Sequence, residues 1–154
     1  DDVEFIRPVE DLQPQWLAAV NTEHPVMLKL YARRPVDGKV SFKSGIDSSV
    51  CSRLVPLGTQ AAVVNRAAAQ KLVATFKQFG MPVDVAYQHW WQCCVKVLVT
   101  VPNHINEISE EVGGSNISQK TKLSFSYKIQ RELKRSWYRL ALSIKSRFNY
   151  WRVY

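Results

Sequence analysis

The sequence predicts a layered α/β fold that carries a C-terminal amphipathic helix, and three observations predict it. Short apolar runs bounded by Pro or Gly alternate with stretches whose apolar residues recur at helical spacing. The last quarter of the chain repeats apolar residues at steps of three and four, with basic residues between them. The 154 residues are 46% hydrophobic and 22% charged, enough for one packed core and incompatible with global disorder.

The elements follow in order. Val3 and Phe5 read as the end of a strand that Pro8 closes, and Asp11 then offers an N-cap to a helix from Leu12 to Val20 with Pro14 in its first turn. The run from Val26 to Tyr31, bounded by Pro25 and Pro35, suits a buried strand. Residues 33–49 read as loop or hairpin, with Asp37-Gly38 favouring a tight turn. After Gly58 comes a small-residue strand, Ala61 to Val64. Asn65 caps a helix from Arg66 to Phe79, on which Ala68, Ala69, Leu72, Val73 and Phe76 share helical spacing and which Gly80 ends. Pro82-Val83-Asp84-Val85 and the pair Trp90-Trp91 precede a strand from Val95 to Val101 that Pro102 stops. From Asn103 to Gln119 the chain is polar, with Gly113-Gly114 as the expected boundary, so residues 1–117 form a domain and 118–154 a tail.

The formal charge of +8 divides unevenly. Residues 118–154 hold ten Lys and Arg against Glu132, which is +9 and leaves −1 for residues 1–117. Cys51, Cys93 and Cys94 form neither a disulfide framework nor a metal-ligand spacing, and read as reduced thiols of a cytosolic protein. The sequence has no apolar run long enough to span a bilayer and no signal peptide. It opens on Asp1-Asp2 without Met, which reads as a start in mid-domain.

Candidate chemistry is carried by carboxylates. Asp1 and Asp2 at a strand end are hard oxygen donors that suit Mg²⁺ or Mn²⁺, or else are simply solvated. Asp84, set between Val83 and Val85 with Tyr87, Trp90 and Trp91 beyond, reads either as a partly desolvated base or as a helix N-cap. Gly58-Thr59 lets a backbone approach a ligand closely, or marks only a bend. Trp90 and Trp91 offer a sugar-stacking platform or, alternatively, core packing. His24, His89 and His104 lack a partner at ligand spacing and read as structural.

Four short islands, in order, resemble glycosyltransferase family 25, the bacterial lipopolysaccharide and lipooligosaccharide transferases. Asp1-Asp2-Val3-Glu4-Phe5 resembles the tail of that family's Glu-Asp-Asp motif. Gly58 to Arg66, with Ala69 and Leu72, resembles its Gly-Thr, strand, Ser-Arg, Ala, Leu-Leu segment. Pro82-Val83-Asp84 resembles its Pro-Val/Ile-Asp motif, and Val99 to Pro102 with Ser115-Asn116-Ile117 resembles its closing region. Ala62 stands where the family often has Tyr, and Asn116 where it has Asp.

The resemblance implies the C-terminal part of a GT-A-like fold that transfers galactose or glucose from a UDP-sugar to a hydroxyl of a lipid-linked glycan acceptor, with inversion. It implies a divalent metal, Mn²⁺ or Mg²⁺, on Asp2 and Asp1, a donor held near Gly58 and Thr59, and Asp84 as the base. A piece lacking the nucleotide-binding half is expected to be inactive alone.

Ile129, Leu133, Trp137, Leu140, Ile144 and Phe148 form one stripe along the tail. With Arg131, Lys134, Arg135, Arg139 and Trp151 they read as a face docked on an anionic membrane, placing the protein peripherally on the inner face of the bacterial cytoplasmic membrane. A helix packed on the domain with its charges solvated is the other reading. Nucleic acid is not expected, since no recognisable module accompanies the charge. The competing class is a non-catalytic or degenerate domain that binds an anionic membrane, or nucleic acid, through the tail alone.

Overall fold

The computed structural model describes residues 3–78, 80–108 and 125–153. Its order is β1 (Val3–Phe5), α1 (Val9–Val20), β2 (Val26–Lys29), β3 (Gly38–Ser44), β4 (Asp47–Ser52), β5 (Ala62–Val64), α2 (Arg66–Thr75), α3 (Val83–Tyr87), α4 (Trp90–Cys93), β6 (Lys96–Val101), β7 (Ile105–Glu107) and α5 (Phe125–Val153). The α/β class is as expected. Five strands form a mixed sheet in the order β3-β4-β6-β2-β5, in which only β2 and β6 run parallel. β1 and β7 form a separate antiparallel pair, Val3 opposite Glu107 and Phe5 opposite Ile105.

The central strands explain themselves. β2 is buried along its whole length and pairs Met27 with Val97 and Leu28 with Leu98 across the parallel ladder. Period-two alternation sends Val26 and Leu28 into a core with Ala19, Leu30 and Val55, and Met27 into a second with Ala68, Cys93 and Val95. α1 lies over β2, β3, β4 and β5. Gln15 of α1 is buried and takes a hydrogen bond from Ser49 of β4.

Several boundaries differ from expectation for local reasons. The α1 helix begins at Val9 with Pro8 as N-cap, so Asp11 sits inside the first turn and Pro14 beyond it. The hairpin reverses at Gly45 and Ile46 rather than at Asp37-Gly38. Gly38 instead starts β3 opposite Ser52, where β4 passes so close that a Cβ would stand 2.0 Å from the Cys51 carbonyl oxygen. The α2 helix stops at Thr75 instead of continuing to Phe79, because Phe76 leaves helical geometry and sets its ring edge-on to Tyr87, 6.4 Å between centroids. β7 was not anticipated, since three residues that include an Asn carry no readable period. Gly113-Gly114 lie outside the described residues.

The expected cap of α2 is present and does more than cap. The Asn65 side chain accepts from the Ala68 N–H at 2.9 Å and from the Val26 N–H at 3.1 Å, and donates to the carbonyls of Thr22 and His24 at 3.0 and 2.7 Å. One buried amide thus joins α2 to the entrance of β2.

Across the molecule, Arg7 donates to both oxygens of buried Asp47 at 2.7 Å. Buried His104 accepts from the Trp16 indole N–H at 3.3 Å, and burial lowers its pKa against a smaller opposing pull from Asp47. His104 is fully buried, with its Nε2 3.9 Å from Asp47 Oδ1.

No helix among the described residues is long and apolar enough to cross a membrane. Asn65→Ala removes four hydrogen bonds while leaving the Val26 N–H buried, so the expected loss is about 2–4 kcal/mol. Urea unfolding checks this as a lower midpoint at unchanged m.

Candidate functional site

Two of the sequence-predicted site segments meet. Asp84 stands in the first turn of α3 with Pro82 as N-cap, so it is not the cap itself. Its Oδ2 accepts the Gly58 N–H at 3.3 Å and its Oδ1 accepts the Val85 N–H at 2.9 Å. Gly58 has φ +97, a left-handed backbone that favours glycine, while the nearest atoms to a Cβ there belong to the flexible end of the Gln60 side chain. Thr59 is exposed next to it.

Lys29 completes the arrangement, and the sequence reading passed over it. It ends β2 with only 2% of its surface exposed, and its Nζ donates to the carbonyls of Pro56 and Gly58, the latter at 2.6 Å. Gln88 of the α3 C-cap donates to the Val55 carbonyl at 2.9 Å. The backbone from Val55 to Gly58 is therefore held by three side chains, two donating to its carbonyls and one accepting its N–H. Burial lowers the Lys29 pKa to about 8, against a smaller upward pull from the Asp84 carboxylate. A lysine inside an otherwise apolar strand run was the available signal, since such a side chain must find oxygen partners within reach of its stem.

The C-terminal helix closes the other side. Tyr138 of α5 lies 3.0 Å from His89 Nε2 through its hydroxyl, and its pKa is raised by burial first and by the charge of Asp84 second. Burial, then Lys145, lowers the His89 pKa. A cavity of about 270 Å³ lies along α5, lined by Tyr127, Gln130, Arg131, Lys134, Arg135 and Tyr138. The His89–Tyr138 pair thus lies within electrostatic reach of the Asp84 carboxylate, which in turn holds the Gly58 N–H.

The two tryptophans separate. Trp90 is fully buried in the core, so it packs rather than forming a sugar platform. Trp91 is half-buried, edge-on to Trp90 at 5.6 Å and tilted against His89 at 5.1 Å.

Asp1 and Asp2 lie outside the described residues. Among the described residues no three His, Cys, Asp or Glu side chains gather as a metal site. Glu107, which faces Val3 across the ladder, has its carboxylate taken up by Arg33 and Tyr31.

On α5, Trp137 and Phe148 are exposed, as are Lys134 and Arg139. Arg131, Arg135 and Arg139 lie on the far side of the helix from that stripe, because at about 100° per residue they fall on the arc from Tyr138 to Tyr150, and Arg131 and Arg135 both approach Glu132. They are not part of the apolar face. Trp151 belongs to the helix backbone, and its side chain lies outside the described set.

Comparison with models of known families, with curated proteins and with solved structures finds no match to the chain.

The Lys29 arrangement predicts a pH signature. Its folded pKa near 8 lies below the ordinary 10.5, so between these values the unfolded chain binds more protons and stability rises with pH. Lys29→Met lacks the titration. The stability of the wild type relative to Lys29→Met should therefore climb from about pH 8 to about pH 10, and paired thermal melts measure it.

Proposed function

We propose that the chain is part of a glycosyltransferase similar to family 25, with a GT-A-like fold, which moves galactose or glucose from a UDP-sugar to a hydroxyl of a lipid-linked glycan. The single observation that carries this reading is the contact between two of the four islands. Gly58 and Asp84 lie 26 residues apart and are joined by one hydrogen bond over a loop held from beneath by Lys29. A fixed glycine bend beside a carboxylate is the layout a transferase needs to hold a diphosphate sugar next to a base.

In this reading Asp84 takes the proton of the acceptor hydroxyl as the sugar is transferred with inversion. Gly58 and Thr59 form the donor-side loop. The carboxylates of Asp1 and Asp2, hard oxygen donors, suit Mn²⁺ or Mg²⁺, which when bound would neutralise the diphosphate charge. Trp91 is the tryptophan left for a sugar face. The working place is the cytoplasmic face of a bacterial membrane, where a lipid-linked acceptor is presented.

A second reading is a non-catalytic domain that uses only α5, and the observation favouring it is the exposed apolar stripe of that helix. Turnover separates the two. In the protein translated from its complete reading frame, Mn²⁺-dependent release of UDP from UDP-galactose or UDP-glucose is expected, and Asp84→Asn should lower kcat about 10²- to 10⁴-fold with donor binding intact. The Asn side chain still offers an acceptor to the Gly58 N–H, so the loop is retained. Full turnover in the variant would remove Asp84 as base, and no turnover of any UDP-hexose by the wild type would leave the second reading.

A further inference from the structure

We propose that α5 is an interfacial helix that docks this chain on an anionic lipid bilayer through the face turned away from the domain. The helix has two faces with different occupants. Tyr138, Leu142, Ser146 and Tyr150, at steps of four, turn toward the domain: Tyr138 meets His89, Ser146 donates to the Arg53 carbonyl, and the Arg53 guanidinium lies 5.5 Å from the Tyr150 ring centroid. Leu142, Ser146 and Tyr150 are buried there. Ile129, Leu133, Trp137, Leu140, Ile144 and Phe148 lie roughly 170° away at ~100° per residue. All six are exposed, Trp137 at 73% and Phe148 at 77%.

This stripe runs for about 30 Å at 1.5 Å per residue, more contiguous apolar surface than a soluble monomer ordinarily leaves in water. Its setting selects the occupant. α5 carries eight Lys and Arg against the single acid Glu132. Arg147 falls within the arc of the stripe and Lys134 at its border, where their stems can lie along apolar surface and their charges reach a headgroup layer. A second copy of the chain is disfavoured, because stripe-to-stripe packing sets two strongly cationic helices ~10 Å apart with almost no acid to pair them. Nucleic acid would engage the charge and leave six apolar side chains in water. An anionic bilayer satisfies both, and with its charges the helix lies in the interface plane rather than crossing it.

The docking stands independently of glycosyl transfer, since its readout is partition rather than turnover. Co-sedimentation of the full chain with phosphatidylcholine vesicles, with and without phosphatidylglycerol, tests it. Binding should be at least about ten-fold stronger to the anionic vesicles and should fall with added salt. Arg147→Gln and Lys134→Gln should each weaken it about five-fold. Trp137→Ser with Phe148→Ser should weaken it more than about ten-fold, with unchanged circular dichroism because both side chains are exposed. Equal partition into neutral and anionic vesicles would overturn the proposal. So would a wild-type dimer in solution that the Trp137/Phe148 double variant converts to monomer.

Discussion

A lysine at the end of a strand buried on both faces must place its nitrogen against oxygen, and that constraint organises the candidate site. Lys29 cannot reach water along β2, so its amine meets the carbonyls of Pro56 and Gly58. Leaving those groups unpaired in the interior would cost on the order of 1–3 kcal/mol each. A neutral amine supplies two N–H donors, matching the two carbonyls, which is why burial can draw its pKa down to about 8 without losing the contact. With the carbonyl side fixed, the Gly58 N–H is presented to Asp84, and α3 is tied to the loop.

The same loop links the sheet to the helices around it. β2 pairs with β6 on one side and β5 on the other, so Lys29 is anchored by two ladders before its side chain does anything. Asn65 repeats the device at the opposite end of β2, where one amide fixes the strand entrance to α2. α5 then covers the cluster through Tyr138 and His89, which brings the C-terminal helix within electrostatic reach of Asp84. Domain and tail differ in charge but share this contact.

Much of this was legible in the sequence where a pattern was long or a cap explicit. The apolar run before Pro35, the run before Pro102, and the helix after Asn65 carry period, boundary or cap, and each forms with the expected type and start to within a residue, the first strand and the helix ending short. What was not legible depends on distant partners. Gly38 looks like a turn residue until β4 is seen passing too close for a Cβ. Phe76 fits the helical period but leaves the helix for Tyr87. Trp90 and Trp91 are adjacent in sequence, yet the short helix α4 turns one into the core and the other toward His89. The stripe on α5 was read directly from its spacing. Which face meets the domain was not, because Tyr138, Ser146 and Tyr150 are polar-tipped contacts with no apolar period of their own. Asp84 and Gly58 were singled out separately, whereas Lys29, which holds the loop between them, reads in one dimension as an interruption of an apolar strand.

Amide hydrogen exchange at Gly58, followed by ¹⁵N NMR on the full chain, tests the central claim that side chains hold this loop. The account predicts that the Gly58 N–H exchanges far more slowly than an unstructured glycine, and that Asp84→Ala and Lys29→Met each abolish this protection while the β2 and β6 amides stay protected. A Gly58 amide that exchanges at the unprotected rate in the wild type, or that neither substitution affects, would contradict it.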